Sequence, residues 1–334
     1  MPRPVCVCCC ATLLPSLLQL ACVPEPLPVP QPAAPERLVD APALVPSTCP
    51  ADPSQWLWVE RGTAPLIVTA THSGSDRPMG CDPGSDVVRE VGERACPDEL
   101  DALCVSGPCV AGGPDAYSRD LVFAFVAELA RCLGERPSFV LTEVRRSVID
   151  PNRDAYDASG EACAFDDPAA LAHWQAFHGV VEELAAEAIA QGGARALVLD
   201  LHTYRSRAGA PPPAVVLGAG LPFGATLPHR AAADATLDEV FGDDGLRARL
   251  LESLTSIDPA VAVFPVAVDA ASEALFNGRY LVHRYARLTG PEGPVIDALQ
   301  LEVSLGVCEH TDEASRALAE AVCASIAPGA AARE

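Results

Sequence analysis

The sequence predicts an α/β protein: a single domain with a central mixed β-sheet flanked by helices. Three observations carry that expectation. Apolar runs of strand length recur at Ala64–His72, Arg195–His202 and Asp297–Val303. Helix-length segments with one apolar face lie between them, and the second passes straight into a strand, the alternation typical of α/β chains. At 334 residues the chain can bury a full core, and no internal repeat divides it.

The elements follow in chain order. Arg3 precedes an apolar stretch from Val5 to Leu20, ending Gln19-Leu20-Ala21-Cys22. A charged start, a short apolar region and small residues before a cut describe a secretory signal over residues 1–22. The cysteine directly after a small residue resembles a bacterial lipoprotein signal with Cys22 acylated. The expected localisation is therefore exported, in the periplasm or at the cell surface, with a lipid anchor at Cys22 as the contact with membrane. Residues 23–54, rich in proline and alanine, read as an extended spacer. The folded body is expected over 55–330, starting near Trp56.

Its first strand ends at His72 and runs into a cysteine-bearing loop, 73–113. A helix is predicted over 116–134, with Leu121, Phe125, Leu129 and Cys132 on one face. A strand at 139–141 leads to the polar run Arg145-Arg146-Ser147-Val148-Ile149-Asp150-Pro151-Asn152-Arg153-Asp154. A second helix covers 168–190 and stops at Gly192-Gly193. The strand to His202 comes next, then a strand at 214–217, a helix near 244–256 and a strand at 261–264. The strand bearing Glu302 and a last helix over 312–326 complete the chain.

Composition narrows the function. A formal charge of −22, with no basic run, argues against nucleic acid and anionic lipid surfaces as partners. It leaves room for a small anionic substrate, because a few arginines in a pocket set the local field. Five of the fourteen cysteines lie at or before Cys22. The others are Cys49, Cys81, Cys96, Cys104, Cys109, Cys132, Cys163, Cys308 and Cys323, and their spacings form no zinc knuckle. Disulfides in an oxidising compartment are the better reading.

Two strands that each deliver a histidine, 130 residues apart, suggest a metal site at the carboxyl edge of the sheet. Catalytic zinc takes three protein ligands and keeps one open position for water. His72 and His202 supply two ligands. Asp76 and Asp115 are both candidates for the third, although Asp115 also stands where it would cap the following helix. Glu302, a carboxylate among apolar neighbours, suits the general base of a zinc hydrolase. His178, in mid-helix beside Trp174, reads as a packed helix residue.

Several motifs together resemble the N-formylglutamate amidohydrolases. They are His72-Ser73-Gly74 with Pro78, Asp115-Ala116-Tyr117-Ser118, and Val148-Ile149-Asp150-Pro151-Asn152-Arg153. Trp174 with Phe177-His178, Asp200-Leu201-His202, Asn277-Gly278-Arg279-Tyr280 and Gln300-Leu301-Glu302-Val303 extend the match over residues 64–306. The resemblance implies a zinc-carboxypeptidase-like fold, also similar to the aspartoacylase-like deacylases, and a Zn2+ cofactor. It implies His72, Asp115 and His202 as metal ligands, since the family's pattern has no acid where Asp76 stands. Glu302 would be the base that takes a proton from water and passes it to the leaving amine. Asn152 and Arg153 would grip the substrate's free carboxylate, a guanidinium pairing with it through two parallel hydrogen bonds.

Arg145 or Arg146 would polarise the scissile carbonyl; that role is assigned to Arg146, with Arg145 and Arg279 contacting substrate. The implied activity is hydrolysis of the amide of an N-acyl amino acid or small peptide-like substrate. A metallocarboxypeptidase or a cell-wall amidase would use the same chemistry. A metal- or carboxylate-binding surface lipoprotein without turnover is the alternative outside enzymes.

Overall fold

The computed structural model describes residues 56–75, 79–81, 88–90, 115, 117–146, 148–153, 168–191, 195–204, 214–220, 239–264, 279–286 and 295–326. The proposed leader at 1–22, the 23–54 spacer, Asp76 and Asn277 lie outside these residues. No helix among them is long and apolar enough to cross a membrane.

The core is a seven-stranded sheet. Its strands are β1 (Leu57–Glu60), β2 (Leu66–Ala70), β5 (Ser138–Thr142), β6 (Arg195–Tyr204), β7 (Ala214–Gly218), β8 (Ala262–Phe264) and β9 (Val295–Ser304). They lie in the order β1-β5-β2-β6-β9-β7-β8. Strands β5, β2, β6 and β9 run parallel, β1 is antiparallel to β5, and β7 is antiparallel to β9 but parallel to β8. The sheet is thus mixed, as the sequence predicts. Strand β2 is buried at all five positions, which suits a strand covered by helices on both faces.

One face packs against α1 (Ser118–Leu133), α3 (Leu246–Thr255) and α6 (Thr311–Ile326). Helix α1 turns Leu121, Val122, Phe125, Val126 and Leu129 inward, a helical stripe that lies against Val68, Leu199 and Leu301. Burying each such Leu or Phe contributes about 1.5–3 kcal/mol. Cys132 and Cys323 join α1 to α6 in a disulfide that closes a sequence separation of 191 residues. The opposite face is covered by α2 (Pro168–Ala190) and α4 (Arg279–Tyr285), whose Phe177, Val181, Leu184 and Leu281 meet Ile67, Val140, Val198 and Ala298.

Most elements were legible, down to β8 (Ala262–Phe264), expected at 261–264, and those missed are short. Helix α2 spans the residues expected, and α1, α3, α6, β5 and β7 agree within about two residues. The 73–113 segment, expected as loop, contains the antiparallel pair β3 (Met79–Cys81) and β4 (Val88–Glu90). Strand β1, helix α4 and the short helix α5 (Leu305–Cys308) are also additions to the expected elements. Each is too short for a hydrophobic period to register.

Candidate metal centre

The site grows out of one face of three adjacent strands. On β6 the side chains Ala196, Val198, Asp200 and His202 alternate onto the face that packs against α2. Register aligns Ile67, Val198 and Ala298 across β2, β6 and β9, then Thr69, Asp200 and Gln300, then His202 and Glu302. The lower row is apolar core. The rows toward the carboxyl ends of the parallel strands are polar and buried. Ligand sites in open α/β sheets lie at that end.

His72 sits two residues beyond the end of β2, whereas His202 lies inside β6. Asp115 joins them from across the 73–113 segment, its N–H donating to the His72 carbonyl at 2.9 Å. Asp115 does not cap α1. The cap position is Tyr117, and the Asp115 carboxylate turns toward the two imidazoles instead. Its Oδ2 stands 3.0 Å from His202 Nδ1 and 3.4 Å from His72 Nδ1. The two rings meet edge to face, with centroids 4.5 Å apart. One ligand atom from each of His72, Asp115 and His202 falls within 4.8 Å of the others.

Behind each imidazole stands a buried carboxylate. His72 Nε2 donates to Asp150 Oδ1 at 2.8 Å, and His202 Nε2 to Asp200 Oδ2 at 2.6 Å. Asp200 Oδ1 in turn accepts from the Thr69 hydroxyl at 2.8 Å. An ionised carboxylate only accepts, so Nε2 carries a proton in both rings. Each Nδ1 faces the same oxygen of Asp115, a contact that either a proton on Nδ1 or a cation shared with the carboxylate satisfies. Two imidazoles backed by carboxylates and one carboxylate ligand are the donor set of a divalent-metal site. The residues fit a metal.

The buried groups hold one another's charges. Burial opposes charge on Asp115, but the His72 and His202 rings outweigh it and hold the carboxyl below the usual carboxylate range. For Asp150 burial is likewise outweighed, by His72, Arg153 and Arg146. Burial disfavours charge on His202, yet Asp200, Glu302 and Asp115 raise its pKa well above the ordinary value. Glu302, 6% exposed and beside His202 in register, is pushed up to about 7. Burial is the main cause, with Asp115 and Asp200 adding to it against the pull of His202 and His72. A carboxyl poised near neutrality can both take and return a proton.

The polar run 145–153 wraps the same centre. Gly74 bridges Arg145, and a Cβ at Gly74 would collide with the Glu143 backbone, so glycine is required where these segments touch. Arg146 reaches Asp115 Oδ1 at 3.5 Å and Asp150 Oδ2 at 3.7 Å. Arg153 Nε lies 3.8 Å from Asp150 Oδ2. Asp150, Asn152 and Arg153 are all buried, which rules out a solvated surface turn. Asn152 donates its N–H to Asp150 Oδ1 at 3.0 Å and accepts the Leu281 N–H at 2.9 Å. Arg279 opens α4 two residues before Leu281.

His178 behaves as a packed helix residue that steadies this turn. Its Nε2 donates to the Pro151 carbonyl at 3.1 Å, and its Nδ1 accepts from the Tyr285 hydroxyl at 2.7 Å. Burial, helped by Arg284, holds its pKa well below the ordinary value, so the ring is neutral.

Sequence reasoning passed over Asp150 and Asp200, which stand behind the two imidazoles. Asp200 stands two residues from His202 on the same strand face, which is a readable signal. Asp150 carries no such local signal, since its partner His72 lies 78 residues away.

No family model matches the chain, and no curated protein matches it. Among solved structures the chain is similar to the N-formylglutamate amidohydrolase from Ralstonia eutropha, at 16% identity and a TM-score of 0.45, covering 79% of this chain and 94% of that one. It is similar to a gene product of Agrobacterium tumefaciens at 15% identity and a TM-score of 0.41, covering 83% and 94%. A bacteriophage poly-gamma-glutamate hydrolase follows at 12% identity and a TM-score of 0.32, covering 79% and 86%.

Proposed function

We propose that the chain is a zinc-dependent amidohydrolase that cleaves the amide of an N-acyl amino acid or small peptide-like substrate. The observation that carries this reading is the convergence of His72, Asp115 and His202 beside the buried Glu302, which lies next to His202 in register. His72, Asp115 and His202 would hold the ion, with Asp150 and Asp200 orienting the two imidazoles. Zinc so held supplies Lewis acidity and lowers the pKa of a bound water to about 7.

The chain's own residues do the rest. Glu302 takes the proton of the attacking water and delivers it to the leaving nitrogen. Arg146, within reach of Asp115, polarises the scissile carbonyl. Asn152 and Arg153, with Arg145 and Arg279, hold the substrate's carboxylate and so aim the amide at the centre. Orientation of this kind can lower a barrier by about 7–11 kcal/mol.

The same reading includes export and a lipid anchor at Cys22. The Cys132–Cys323 disulfide supports an oxidising compartment. A base beside the candidate centre favours turnover over mere binding.

Metal analysis and one variant test the proposal. The purified protein should carry about one zinc per chain, and His72→Ala should lose it. The Glu302→Gln protein should keep zinc and lose hydrolysis of formyl-, acetyl- and peptidyl-amino acids. Undiminished turnover in that variant removes Glu302 as the base, and wild type without zinc removes the metal reading.

A further inference from the structure

We infer that Tyr117 is a specificity-determining residue whose ring contacts the acyl group of the substrate; this rests on the reading of the chain as an N-acyl amino acid hydrolase. Among the described residues Tyr117 is the non-glycine residue with positive φ, at 62° with ψ −2°. A side chain that bulky is a genuine outlier there, whereas glycine or asparagine adopts the conformation readily. Burial does not compensate, because Tyr117 is 49% exposed. Nor does capping, since its side chain makes no cap hydrogen bond to α1.

The left-handed step itself has a clear use. The Asp115 N–H is tied to the His72 carbonyl, and the Ser118 N–H and hydroxyl both donate to the Asp115 carbonyl. Helix α1 then opens with the Leu121 N–H donating to the Tyr117 carbonyl. The chain must therefore turn sharply at Tyr117 to leave the Asp115 carboxylate facing the histidines. Any residue at ease in that conformation would serve the path equally well. The turn does not require the ring. A strained and exposed aromatic two residues from Asp115 points to a contact with something bound.

The chemistry of that contact follows from what else is placed. The amide lies at the metal, and Arg145, Asn152 and Arg153 take the carboxylate end. The acyl group is the part left to reach the rim. Tyr117 is separated from Asp115 by two Cα steps of about 3.8 Å each. A formyl group ends at the scissile carbon and has no atoms to span that gap. An extended acyl chain or a peptide does, and tyrosine offers it a rigid amphipathic surface with few rotations to freeze. The substrate class is therefore amino acids carrying an extended acyl or peptidyl group.

Ligand affinity on the zinc-loaded Glu302→Gln protein, read by calorimetry, tests this without turnover. N-hexanoyl-alanine should bind about tenfold more tightly than N-formyl-alanine, a gap that contact along a few methylenes readily supplies. Tyr117→Gly and Tyr117→Asn should abolish that gap while changing formyl affinity less than about twofold, and Tyr117→Phe should preserve it. Zinc content should stay at the parent's value in all three, Tm should hold in Tyr117→Phe, and Tm should not fall in the other two. Equal weakening of both ligands, loss of zinc or Tm in Tyr117→Gly, or no gap in the parent would overturn the inference, as would failure of both ligands to bind. The expected affinity pattern in a wild type that hydrolyses neither ligand would instead refute the amidohydrolase reading and leave the Tyr117 contact standing.

Discussion

Replacing Asp200 by asparagine removes one charge from the wall of the candidate centre and little else. In the native chain Asp200 Oδ2 accepts from His202 Nε2 at 2.6 Å and Oδ1 accepts from the Thr69 hydroxyl at 2.8 Å. Asparagine can keep its amide oxygen toward His202 and turn its NH2 toward Thr69, whose hydroxyl can accept as well as donate. Both hydrogen bonds survive, so the loss is confined to the carboxylate charge that makes the imidazole a stronger donor to a cation. Removing such a partner typically lowers metal affinity 10–100-fold, or about 1.4–2.8 kcal/mol. Thr69→Val, which deletes only the outer hydrogen bond, should cost less than about tenfold. Zinc affinity measured by chelator competition at fixed pH and salt checks both. An Asp200→Asn protein that is folded and binds zinc within about twofold of wild type would show that Asp200 does not tune His202, and the orienting role assigned to it would fall.

Glu302 makes a prediction about stability of the zinc-free protein. Its folded pKa of about 7 lies above the 4.5 of a free glutamate carboxyl. The folded chain holds that proton more tightly than the unfolded one, so the group's contribution to stability is full below about pH 4.5, falls as pH rises through about 7, and is level above that. The difference amounts to about 3 kcal/mol, and Glu302→Gln should melt higher than wild type at pH 8 and converge with it near pH 4.5. Asp115 and Asp150 act in the opposite sense, their depressed values adding stability above the unfolded carboxyl range that is lost as pH falls. Leu199→Ala, at the centre of β6 with no exposure, should cost about 2–5 kcal/mol in denaturant unfolding. Cys323→Ser should lower stability by about 2–5 kcal/mol under oxidising conditions, and a reductant should bring wild type to the same level.

Much of the framework was legible because its signals are local. The strand runs before His72 and at Arg195–His202 announce themselves by composition, and α2 announces itself by length and by the glycines after it. The acidic partner of the two histidines was a harder matter. From residues alone Asp76 and Asp115 competed, and Asp115 looked equally like a helix cap. It is Tyr117 that stands at the cap, in a left-handed turn that frees Asp115 to face the histidines. The run 145–153 could be read as a surface turn neutralising nearby aspartates, yet it is buried with Asp150 at its middle. A run of charges reads as solvated until its partners are known. The Cys132–Cys323 pair was equally hidden, since it depends on how α1 lies against α6.

The sequence by itself determined the alternation of strands and helices, and that His72, His202 and Glu302 lie in or just after strands. Those properties follow from residues a few places apart, where periodicity and chain stiffness act. Only the tertiary structure decided that His202 and Glu302 are neighbours in register, that Asp115 turns toward both imidazoles, and that Asp150 and Asp200 stand behind them. Strand order and the close approach of Gly74 to Glu143 bring these groups together, and both depend on packing between segments distant in the chain.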